Sequence, residues 1–227
     1  MIRNLISSAA ILTFASISPL RAQGHACENG QAQVTAADPD LAGHVCTVVD
    51  RALDQLAQCH LSQKAPLTIN IVDGFKDDRP GCVGIFDCAN NRIEILKPEV
   101  MGKSLEDNRR FSRLPLMSLF DSVVAHEMTH ALLYQNLGED SGNWTENEYM
   151  AYAMQMAFLS SEDRALFMQG FTTDRPGSLA GINILIMLLA PDAFAAEVWL
   201  HFSAKGNGCN FIGQLLSGEK AIGSVSP

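Results

Sequence analysis

His126-Glu127-Met128-Thr129-His130 carries the chemistry that this chain of 227 residues most plainly offers. Two histidines four apart lie on one face of a helix, one turn above each other, so both imidazoles can reach one metal ion. Glu127 sits beside that axis, placed to take a proton from a water without itself being a ligand. Zinc suits such a set, because neutral imidazoles bind it and water bound to it ionises near neutral pH. The helix is predicted by the surrounding apolar stripe of Leu116, Leu119, Phe120, Val123, Val124, Met128, Ala131 and Leu132, which runs over 115–137 and stops at Gly138.

An open zinc site takes three protein ligands and leaves one position for solvent. A third histidine six residues after His130 is excluded, since position 136 is Asn136, and Leu133 stands where the metzincin pattern needs glycine. That leaves a carboxylate on a following helix, expected over about 145–159, where Glu146 and Glu148 both qualify. Thr145-x-x-Glu148 and Asn143-x-x-Glu146 each match a capping box, which would commit one acid to a backbone N–H. Glu148 is favoured if Asn143 is the cap, and Glu146 stays open as the alternative.

With these residues the chain resembles the gluzincin metallopeptidases, the thermolysin-like class, over residues 67–160. The resemblance implies a zincin-like fold, one zinc per chain held by His126, His130 and Glu148, and Glu127 as general base on the metal-bound water. It implies peptide or protein as substrate, held along a strand before the motif helix, with Arg92–Leu96 in that place. Where the thermolysin-like pattern has an aspartate that orients a histidine, this chain has Tyr152. A donor for the oxyanion is also required; His201 is taken as that catalytic group, with Arg175, Tyr149 and Tyr152 as alternatives. The expected function is an exported zinc-dependent peptidase. The alternative is a catalytically inactive zincin scaffold with a binding or structural role in the cell envelope.

The elements that must position these residues read as α+β: a small N-terminal sheet followed by a helical bundle carrying the motif helix and the glutamate helix. Residues 41–59 form an amphipathic helix, 67–72 alternate as a strand, and 83–86 with 92–96 flank the turn at Asn90-Asn91. Residues 23–40 read as irregular, and Pro98 as the end of the strand unit. A short helix is expected over 161–169, and another after Pro191 up to about Phe202. The apolar run 179–190 is too short to span a bilayer and reads as a buried core helix.

Residues 1–22 have the layout of a cleavable secretory signal: Arg3, an uncharged apolar stretch from Leu5 to Leu20, and Ala22 at the cut. The expected location is secreted or periplasmic, with residues 23–227 as a single domain. All six cysteines follow that segment, which suggests disulfides. Cys46 and Cys59 share one helix and stand about 20 Å apart at 1.5 Å per residue, so they pair elsewhere, with Cys27 and Cys209 available. Cys82 and Cys88 are placed to close a small loop. A net charge of -9 with 18% charged residues argues against nucleic acid or anionic membrane as partner.

Overall fold

The computed structural model describes residues 24–223 except 29, 78, 80, 106–108 and 139–142. The expected signal at 1–22 lies outside the described residues. The fold is α+β: a mixed five-stranded sheet and several helices around one core. Among the described residues no helix is long and apolar enough to cross a membrane.

The strands are β1 (Gly24–Ala26), β2 (Ala32–Thr35), β3 (Leu67–Val72), β4 (Gly84–Asp87) and β5 (Arg92–Leu96), in the order β1-β2-β3-β5-β4. β2, β3 and β5 run parallel, while β1 and β4 are antiparallel to their neighbours. Val34, Ile69 and Ile93 are in register across the three parallel strands, and each is fully buried. Such a row of β-branched residues gives the sheet its inner face. Helix α1 (Pro39–Gln58) crosses from β2 to β3; Asp38 caps it by accepting from the Asp40 N–H, and Pro39 opens it.

β1 and β2, in the stretch read as irregular, have only three and four residues. That is too short for a period to show, and their place comes from pairing with β3 and from the Cys27–Cys46 disulfide that ties them to α1. Pro98 does not end an element but opens one, α2 (Pro98–Ser104), because proline at the first helical position gives up only an N–H that has no intrahelical partner.

Helix α3 (Leu116–Leu137) is the central rod. It packs on α1, α2, β4, β5 and α4 (Trp144–Phe158), and Gly138 ends it at φ 67°, a conformation that favours glycine. Being surrounded, it buries Ser122, Glu127 and Thr129 along with its apolar stripe from Leu119 to Leu132. Helix α5 (Ser161–Met168) follows. The run 179–190 is not one buried helix. Asn183 accepts from the Leu185 and Ile186 N–H groups and starts the six-residue α6 (Ile184–Leu189), leaving Leu185, Leu188 and Leu189 at 65%, 57% and 84% exposure. Helix α7 (Pro191–Phe202) then packs on α4, and α8 (Cys209–Leu216) is the last helix among the described residues.

Two disulfides form, Cys27–Cys46 and Cys59–Cys209, so Cys46 within α1 and Cys59 at its C-terminal cap each pair elsewhere. Cys82 and Cys88 form no disulfide with each other: they bracket β4, and its four extended residues hold them apart. The pairs close loops of very different length, 19 and 150 residues. Replacing both members of Cys59–Cys209 by alanine is expected to cost about 2 kcal/mol more than replacing Cys27–Cys46 on loop entropy alone, measured by urea unfolding.

Candidate metal centre

Helix periodicity aligns His126 and His130 on α3, and their Nε2 atoms stand 3.1 Å apart. From α4, Glu148 brings Oε2 to 3.6 Å from His126 Nε2 and Oε1 to 3.6 Å from His130 Nε2. Tetrahedral zinc with bonds near 2.05 Å sets its ligand atoms about 3.3 Å apart, so this donor set fits the ion. The side chains are 13%, 20% and 16% exposed, enough to face solvent on one side. Burial pushes both imidazoles down to about 4, so both are neutral at neutral pH and ready to ligate.

Asn143 decides between the two glutamates. Its side chain accepts from the Glu146 N–H at 3.0 Å and so caps α4. Glu146 turns away from the histidines, and its Oε1 accepts from the Ile222 N–H at 2.8 Å, holding the C-terminal segment. Glu148, half a turn further along, faces α3.

Glu127 is 7% exposed beside this cluster. A Cβ on Gly84 would lie 2.6 Å from Glu127 Oε1, so only glycine lets β4 pass this close to the carboxylate. Burial, and then the neighbouring Glu148 charge, push Glu127 up to about 8. β4 is the sheet edge over the site, whereas β5 is hydrogen-bonded on both sides by β3 and β4. Arg92–Leu96 therefore has no edge left to offer a peptide, and the strand available for that is Gly84–Asp87.

The cluster opens into a cleft of about 1420 Å³, lined by β4, α3 and α4 and by Arg79, Arg109 and Asp192. His201 does not line it. The ring is buried, with Nδ1 2.9 Å from the Tyr149 hydroxyl and its edge against Phe211. That spends both Tyr149 and His201 in the core between α4, α7 and α8. Arg175 pairs with Glu197 at the surface. Of the groups expected to help an oxyanion, Tyr152 alone reaches the cleft. Its ring lies edge-on to His126 at 4.8 Å, and burial holds the phenol in its protonated, donating form.

Two residues were not anticipated. Trp144 donates from Nε1 to Glu148 Oε1 at 3.3 Å and stands 58% exposed at the cleft. Gln155 lies buried under His126, with Oε1 2.9 Å from Nδ1. Glu148, Tyr152 and Gln155 are spaced i, i+4 and i+7, which places them on the α4 face turned to α3; that spacing was the available signal.

Residues 32–224 match a family of unknown function (DUF6639). The chain belongs to that family. In this DUF6639 member every residue of the centre, from Gly84 to Asp192, lies inside the matched span. Comparison with curated proteins and comparison with solved structures each returned no match.

Proposed function

We propose that this chain is an exported zinc-dependent peptidase of zincin-like architecture. The observation that carries this reading is the His126–His130–Glu148 donor set with a buried glutamate beside it in an open cleft. His126, His130 and Glu148 would hold a zinc ion, which would supply Lewis-acid polarisation and ease the ionisation of water. Glu127 accepts the proton of the attacking water and hands it to the leaving amine. Tyr152 donates its hydroxyl hydrogen to the oxyanion that develops on the attacked carbonyl.

Substrate class follows from cleft shape and edge chemistry. At about 1420 Å³ the cleft exceeds the roughly 300–1,000 Å³ of small-ligand pockets, and it runs along β4, whose outer backbone groups can pair with an extended peptide. The inactive-scaffold alternative rests on the missing aspartate at position 152 and on the lack of a clear oxyanion donor. Gln155 provides a partner for His126 from one turn further along α4, which supports the enzymatic reading. Export is supported by the secretory layout of 1–22 and by two disulfides, which persist in oxidising compartments.

The test is metal analysis joined to turnover. Purified chain should carry about one zinc and cleave members of a quenched-fluorescent peptide library, lose cleavage on chelation and regain it with zinc. Absence of bound metal together with absence of cleavage would sink the reading.

A further inference from the structure

We infer that Gln155 is a positioning residue that locks the tautomer of His126, through a hydrogen-bond chain whose polarity is dictated from the α3 backbone. This inference rests on the metal-centre reading above for its consequence, but not for its geometry.

The polarity follows from counting protons. The Leu119 carbonyl can only accept, and Ser122 Oγ donates its single proton to it at 2.7 Å, well inside its 3.3 Å contact with Gln155. Ser122 Oγ then has only lone pairs left for Gln155, whose near atom at 3.3 Å must be the donating Nε2. With that proton held on Leu119, a flipped amide would set its oxygen against the Ser122 lone pairs. Gln155 Oε1 is therefore the atom 2.9 Å from His126 Nδ1, and Nδ1 must carry the ring proton to donate to it. A neutral imidazole has one such proton. Nε2 is left with a bare lone pair, directed at His130 Nε2 and Glu148. Every link is sheltered, with Ser122 at 0% and Gln155 at 4% exposure, so water does not compete for these bonds.

The device differs in kind from a carboxylate partner. A charged acceptor makes the imidazole a stronger base, whereas the neutral amide fixes ring orientation and tautomer with little added basicity. α4 thus supplies a ligand, Glu148, and the orienter of a ligand on α3, Gln155, from one face two turns apart.

Two measurements decide it. In metal-free protein, long-range proton–nitrogen NMR of the histidine rings should show His126 with Nδ1 protonated; in Gln155→Ala that preference should disappear. Zinc dissociation constants, measured by chelator competition, should weaken about 10- to 100-fold in Gln155→Ala, and Gln155→Glu should restore wild-type affinity or exceed it. A structural role alone would lower the melting temperature of both variants and leave the tautomer unchanged. Should Gln155→Ala not fold, Ser122→Ala carries the test, since it frees the amide to flip and should mix the tautomers. Wild type found with Nε2 protonated, or Gln155→Ala with wild-type tautomer and affinity, overturns the inference. Wild type that binds no zinc but shows the Nδ1–H tautomer defeats the functional reading and leaves the relay standing.

Discussion

Glu127→Gln should lower peptide hydrolysis by about 100- to 10,000-fold while zinc content stays at the wild-type level. The change is nearly isosteric, so the close passage of Gly84 over the carboxylate is preserved, and it removes only the ability to accept and return a proton. Burial and Glu148 raise Glu127 from 4.5 to about 8 in the metal-free chain, so its charged form is the one the fold disfavours. The sign for stability follows. Below pH 4.5 the carboxyl is neutral in both folded and unfolded chains, and wild type and variant differ little. As pH rises from 4.5 through about 8 the unfolded chain ionises first, and metal-free wild type loses stability that the glutamine variant keeps. Urea unfolding at several pH values checks this. A variant that hydrolyses peptide as fast as wild type would remove Glu127 from the mechanism.

Glu148→Ala and Glu146→Ala should separate cleanly, although both delete an acid from the first turns of one helix. Glu148→Ala removes one of the three proposed metal ligands, and zinc affinity should fall by more than about 100-fold, beyond what outer partners contribute. Its own cost to the metal-free fold should be small, because Glu148 sits against neutral imidazoles and a half-exposed indole. Glu146→Ala leaves the proposed metal site untouched but orphans the buried Ile222 N–H that it now holds, at a cost of about 1–3 kcal/mol. Chelator competition and thermal melts on the two proteins read both effects. If zinc follows Glu146 instead, the ligand assignment is overturned.

Long periodic elements were legible. α1, β3, β5, α3, α4 and α5 fall within two residues of where periodicity, caps and turn residues place them, since each repeats its pattern for a full strand or several turns. β1, β2, α2 and α8 were not: the two strands have only three and four residues, and both helices start without a side-chain cap to mark them. The run at 179–190 misled because apolar composition says how greasy a segment is, not whether the chain folds over it. His201 misled for a related reason. Its residue type fits the chemistry, but α7 turns that side chain into the core toward Tyr149.

The pairing of His126 with His130, and the place of Glu127 beside them, were determined by sequence alone, because an α-helix converts spacing into direction within one turn. The same rigidity barred Cys46 from Cys59. Which acid joins the histidines, which amide orients one of them, and which strand lies open above them were decided only in three dimensions. Those depend on the rotation of α4 against α3 and on the order of strands in the sheet, both set by contacts between residues far apart in the chain.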